Sequence, residues 1–125
     1  MGYLNADSIL HADDFVYADV EVPEWGGTVR IRSLSGAQRV TLKKAIDAGQ
    51  DDIDETLCVM CIVDEDGNRI LHRNQIGELS KKSTKAITRI AIKALEISGM
   101  RDPGKAVKDA EKNSAGTENA DSSFD

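Results

Sequence analysis

Aromatic residues are scarce in this chain, which has two Phe, two Tyr and one Trp among 125 residues. Any core must therefore be mostly aliphatic, and a surface that stacks bases on aromatics set between basic residues is disfavoured. No apolar run approaches the ~18–20 residues that a membrane-spanning helix needs, and the N-terminus lacks a basic stretch followed by an apolar one. The expectation is a cytoplasmic protein with no membrane partner. Histidine and cysteine number only two each. Cys58-Val59-Met60-Cys61 is a C-x-x-C, but zinc takes four ligands, and His11 and His72 are the only other candidates of the usual type. A redox pair would put its first thiol at a helix start after a strand, whereas these cysteines extend an apolar helical stripe. They read as two small buried hydrophobes in a reducing compartment.

Further absences narrow the chemistry. Asp64, Asp66 and Asn68 imitate the first ligands of a calcium loop, yet Arg69 stands where that loop needs glycine and Gln75 where it needs glutamate. A turn accounts for the same residues. No serine or cysteine has a base in a shared context, and Gly-rich phosphate loops are missing. The sequence predicts no enzyme, no metal and no cofactor.

What is present begins with charge. The net charge of −6 conceals a polarity along the chain. Residues 1–68 hold 14 acids and 5 bases, residues 69–108 hold 3 acids and 10 bases, and residues 109–125 hold 5 acids and 1 base. Two readings follow. The acidic part of one copy can meet the basic part of the next, a heterologous contact that builds rings or spirals, or the blocks can neutralise each other within one monomer.

The clearest local pattern is a ribbon. Val16, Ala18, Val20 and Val22 alternate with polar residues, as do Val29 and Ile31 further on, and Val22-Pro23-Glu24-Trp25-Gly26-Gly27 joins the two runs. Pro23 cannot donate to a ladder and the glycine pair can adopt positive φ, so the connection should leave the sheet, turn and re-enter. On the polar face, Asp19 and Glu21 are expected opposite Arg30 and Arg32. Trp25, at the tip, is either a cap folded under the ribbon or an exposed anchor for a partner.

Helical signals bracket the rest. A short helix through Ile9 and Leu10 is expected, capped by Asn5 or Asp7. Ser35 and Gln38 have the spacing of a capping box, followed by a helix through Val40, Leu42 and Ile46 that stops at Gly49. Asp51-Asp52 opens another, with an apolar stripe of Ile53, Leu57, Met60 and Cys61. Ile62-Val63 and Ile70-Leu71 flank Asp-Gly-Asn, which predicts a second, short hairpin. From Ser80 the longest helix begins, with Ile87, Ile90, Ala91, Ala94, Leu95 and Ile97 inward and Gly99 at its end. Residues from about 113 onward, rich in Ser, Gly, Asn, Asp and Glu, cannot bury enough apolar area to offset their ordering entropy. The chain thus reads as an α+β domain over residues 1–108, with an N-terminal β-hairpin, a second short hairpin and three or four helices, followed by a disordered acidic tail over 109–125.

Lys81, Lys82, Lys85, Arg89 and Lys93 fall in the basic block, and the last three recur every four residues along one helix face. Like charges at that spacing repel by a few tenths of a kcal/mol per pair, so the stripe suits solvent or an acidic surface. Nucleic acid is the weaker partner, given the acidic pI of about 4.9.

In order, these features resemble the tail assembly chaperones of phages with long, flexible, non-contractile tails. The resemblance rests on the strand entering Val22-Pro23-Glu24-Trp25-Gly26-Gly27, the run Val29-Arg30-Ile31-Arg32-Ser33-Leu34-Ser35-Gly36-Ala37-Gln38-Arg39, the Val63-Asp64-Glu65-Asp66-Gly67-Asn68 turn and a closing basic helix. It spans roughly residues 9–100. It implies a non-enzymatic protein without cofactor that holds the tape-measure protein in the host cytoplasm, helps tail-tube subunits polymerise and is absent from the finished virion. It also implies self-association into rings or spirals, and a longer frameshifted product that recruits the tail-tube protein. The present chain resembles the short product, with Lys112-Asn113 as a candidate slip position. Trp25, Lys85, Arg89 and Lys93 are the partner-binding candidates. A structural virion protein, such as a head-tail connector or tube component, and a small nucleic-acid-binding regulatory module are the alternatives.

Overall fold

Alternation of apolar and polar residues on either side of one compact turn sets the first two strands. A computed structural model describes residues 2–100. The expected boundary at 108/109, the acidic tail and Lys112-Asn113 lie outside the described residues. Strand β1 (Tyr17–Val22) pairs antiparallel with β2 (Gly27–Arg32) through a 3₁₀ turn, Pro23–Trp25. Gly26 closes that turn at φ 74°, the left-handed region where a side chain would be strained. Val20, Val22 and Ile31 face the core.

Because Val22 already pairs with Gly27, the register brings Asp19 opposite Arg30, but sets Glu21 opposite Thr28 and Arg32 opposite Tyr17. Only one of the two expected cross-strand charge pairs is therefore in register. Both arginines lie over aromatic rings. The Arg30 guanidinium is 4.5 Å from the Tyr17 ring centre, and that of Arg32 is 4.1 Å from the Phe15 ring centre. Each is within cation–π range.

Ser35 caps helix α2 (Gly36–Asp47) as predicted. Its hydroxyl accepts from the Gln38 backbone N–H at 3.2 Å, and the Gln38 side-chain Oε1 accepts from the Ser35 N–H at 3.0 Å. The helix runs through Val40, Leu42 and Ile46 as expected, but its apolar residues are only partly inward. Leu42 and Ala45 are buried, whereas Val40 and Ile46 are 54% and 43% exposed. At 100° per residue Val40 lies about 200° from Leu42, and the body of the protein covers only one side of this helix.

Helix α3 (Ile53–Cys61) is the centre of the fold, and every residue from Thr56 to Cys61 is buried. Its one buried hydroxyl, on Thr56, donates to the Asp52 carbonyl at 2.8 Å. The chain passes directly into β3 (Ile62–Val63), which pairs antiparallel with β2, giving the sheet order β1-β2-β3. The second hairpin forms in reduced form, with one bridge between Val63 and Arg69 and no strand at Ile70-Leu71. Asp64 organises its turn, its carboxylate accepting from the N–H groups of Asp66 and Asn68 at 2.9 Å each.

A 3₁₀ turn, Arg73–Gln75, leads into the one-turn helix α4 (Ile76–Leu79), neither of which was expected. Helix α5 (Thr84–Ile97) starts four residues later than predicted. Ser80 closes α4 instead, its N–H bonding to the Ile76 carbonyl and its hydroxyl to that of Gly77. Lys81 and Lys82 consequently lie between the helices. Ala86, Ile87, Ile90, Ala91, Ala94 and Leu95 bury the inner face of α5 against α3 and the sheet, and Gly99 ends the run at φ 73°. At the other end, α1 (Ala6–Leu10) is capped by Asn5, which accepts from the Ser8 N–H at 2.8 Å, and buries nothing.

Candidate functional site

The four partner-binding candidates, Trp25, Lys85, Arg89 and Lys93, fall where the β1–β2 turn meets α5, but they do not act alike. Trp25 is partly buried and packs against the core, with part of its side chain left exposed. Glu24 beside it points to α5. Arg89 donates to both Glu24 carboxylate oxygens, at 2.8 and 2.9 Å, and to the Glu21 carbonyl at 3.4 Å. This fork-to-fork geometry is the strongest form of a side-chain ion pair. The Arg89 hydrogen bond, ahead of the turn's own backbone contacts, holds the Glu24 carboxyl at about 2, well below the usual carboxylate range.

Lys93 is also engaged, donating to Glu96 one turn on at 3.1 Å. Lys85 is exposed and contributes a smaller Coulombic attraction to Glu24. The stripe that reads as three like charges is thus, in the fold, a row in which two of three cations already have carboxylate partners. Part of the charge polarity is neutralised within the monomer, acid block against basic block.

Beside this junction runs an open groove of about 600 Å³ between β1 and α5, floored by Val20, Pro23 and Ile92 and edged by Arg89, Lys93 and Glu96. Ile92 is an exposed hydrophobe on α5. A second, deeper cleft of about 750 Å³ lies between α2, α3 and α4. Lys44, Arg69 and Arg73 give it a basic lining around Met60 and Ile76. Its walls are tied together by Gln38, whose amide donates to the Met60 carbonyl at 3.3 Å, and by Arg69, which donates to the Val59 carbonyl at 3.2 Å. Sequence reasoning missed this cleft because its residues come from three separate segments and share no spacing.

Neither concavity gathers a catalytic constellation. Among the described residues, no group of three or more His, Cys, Asp or Glu is placed to hold a metal ion. Cys58 and Cys61 are free and wholly buried, and burial pushes both thiols up to about 12. They are protonated near neutral pH and act as packing groups. The Asp54 carboxyl is raised by its partial burial at the start of α3. No helix among the described residues is long and apolar enough to cross a membrane.

No family model matches this chain, and no curated protein does. Among solved structures, the chain is similar to the tail assembly chaperone of bacteriophage HK97, with a TM-score of 0.59 and 20% identity over 77% of this chain and 95% of that one. At that identity the likeness is one of fold: the same α+β arrangement built from a largely different set of side chains.

Proposed function

We propose that this chain is a tail assembly chaperone of a phage with a long, flexible, non-contractile tail. It holds the tape-measure protein in the cytoplasm of the infected cell, assists tail-tube polymerisation and is absent from the mature virion. The observation that carries this reading is the fold likeness to the HK97 tail assembly chaperone, which takes in nearly the whole of that chain. The ordered sequence features around Pro23-Glu24-Trp25-Gly26 and Ser35-Gly36-Ala37-Gln38 point the same way.

The geometry suits a protein that binds proteins. Its concavities are open and mixed in polarity, and the exposed hydrophobes are spread over the segment before β1, α2, Ile70 after β3, and α5. Such surfaces fit an extended helical client better than a small molecule, which prefers an enclosed apolar pocket. Self-association and a longer frameshifted product that engages the tail-tube protein complete the reading. The bidentate pairing of Arg89 and the engagement of Lys93 count against the nucleic-acid alternative, because they occupy the cations such a surface would offer to phosphates.

The test is co-expression with the tape-measure protein encoded by the same phage or prophage. The tape-measure protein should accumulate in soluble form and co-purify with this chain, and purified particles should lack the chain. Insoluble tape-measure protein with and without the chain would overturn the reading. Stoichiometric presence of the chain in finished particles would favour a structural virion protein.

A further inference from the structure

Two exposed surfaces of this chain are complementary to each other and do not meet within one copy. The first is the arm before β1. Tyr3, Leu4, Ile9 and Leu10 are all exposed there, Leu10 at 80% and Tyr3 fully. Residues 2–14 contain Asp7, Asp13 and Asp14 and no Lys or Arg. Among the described residues, the arm is anchored only where it joins the sheet. Ser33 brackets Val16 by two hydrogen bonds, at 2.8 and 3.0 Å, and Arg32 lies over Phe15. The second surface is the outer side of α2, where exposed Val40 and Ile46 flank Arg39 and Lys43, with Lys44 beside them. Its one acid is Asp47.

We propose that the arm of one copy docks on the outer face of α2 of the next. The arm is apolar and acidic, the face apolar and basic, and neither is covered among the described residues. Isolated exposed hydrophobes are ordinary, but Ile9 and Leu10 side by side on a five-residue helix that buries nothing, with Tyr3 and Leu4 just before it, are not, since so short a helix is marginal alone in water. Joining two different surfaces gives a heterologous contact, so copies add head to tail. The charges set partner choice and approach, and the burial of Ile9 and Leu10 against Val40 and Ile46 supplies the holding force. This inference rests on the proposed assembly role, of which it names the contact.

The experiment is light scattering of the full chain across protein concentration. The mass of the wild type should rise above the 13.6 kDa of one copy. Ile9→Asp with Leu10→Asp should move the association midpoint up roughly tenfold or more, about 1.4 kcal/mol or more of contact free energy. Arg39→Glu with Lys43→Glu should weaken association similarly, and adding Asp7→Lys, Asp13→Lys and Asp14→Lys to that variant should restore it. All these positions are exposed, so circular dichroism should remain that of the wild type. Cross-linking reads the same contact directly. A Leu10→Cys chain mixed with a differently tagged Val40→Cys chain should give a mixed disulfide-linked pair. Intramolecular closure of the double-cysteine chain, with no mixed pair, would show the arm folding back on its own α2 and overturn the proposal. Oligomers that survive both sets of substitutions would overturn this contact while leaving assembly itself standing. A wild type that remains at 13.6 kDa at every concentration, yet still solubilises the tape-measure protein, would overturn the contact and leave the chaperone reading intact.

Discussion

Helices α1 and α3 differ more than any other two elements of the molecule. Both have local helix signals, a side-chain cap at Asn5 in one and an acidic first turn at Asp54 and Glu55 in the other. Yet α3 buries six consecutive residues and α1 none. A stripe of apolar residues at helical spacing says that a helix can be covered. It does not say that the same chain covers it. In α3 the cover comes from several elements, with α5, α2 and α4 packed against it and β3 continuing it into the sheet. In α1 the apolar residues face water, and a second molecule is the cover that the charge pattern suits.

The sharpest way to break this contrast is Leu57→Ala. Leu57 is 1% exposed at the middle of α3, and its truncation should cost about 2–5 kcal/mol, read as a fall in the urea midpoint with little change in slope. A loss under about 1 kcal/mol would mean that α3 is not the centre of the core. Ser35→Ala comes next. It removes one half of the reciprocal cap of α2 and should cost about 1 kcal/mol in the same assay.

The Glu24–Arg89 pair should show itself through pH. The Glu24 carboxyl is lowered from 4.5 to about 2 in the folded state, so its contribution to stability is complete above about pH 4.5 and lost as the pH falls toward 2. Acid unfolding of Glu24→Gln should therefore be less steep across that window than that of the wild type. Added salt should narrow the difference, since both side chains are partly exposed. Identical acid profiles would mean that the pair forms no lasting contact.

The smallest effect is expected at α1. Leu10→Ala in dilute, monomeric protein should change stability by no more than about 0.5 kcal/mol. A loss close to that of Leu57→Ala would show that the arm packs on its own body, against the contrast drawn here.

Much of the fold was legible because the signals involved act over a few residues. The capping box at Ser35 and Gln38, the alternation on either side of Pro23, the Asp64 turn and the terminating Gly99 are each settled by neighbours within about four positions. The candidate site was less legible. Arg89 was singled out for a regular basic stripe, but its partner Glu24 lies 65 residues away and has no sequence relation to it. The second cleft went unseen for the same reason. One local error also has a physical cause. The start of α5 is expected at Ser80, where the helical pattern resumes, whereas the Ser80 hydroxyl closes the preceding turn. The helix through Val40, Leu42 and Ile46 forms, but periodicity alone does not reveal how wide a face its neighbours will cover, and Val40 and Ile46 stay exposed.

By itself, then, the amino-acid sequence determined the type of the longer elements, the turn and cap at Pro23 and Ser35, the buried and chemically quiet character of Cys58 and Cys61, and the charge polarity along the chain. The tertiary structure decided which charges remain available and which apolar faces remain open. Those outcomes depend on which distant segments come within a few ångströms of one another, as Glu24 does with Arg89 and as no distant segment among the described residues does to cover Leu10.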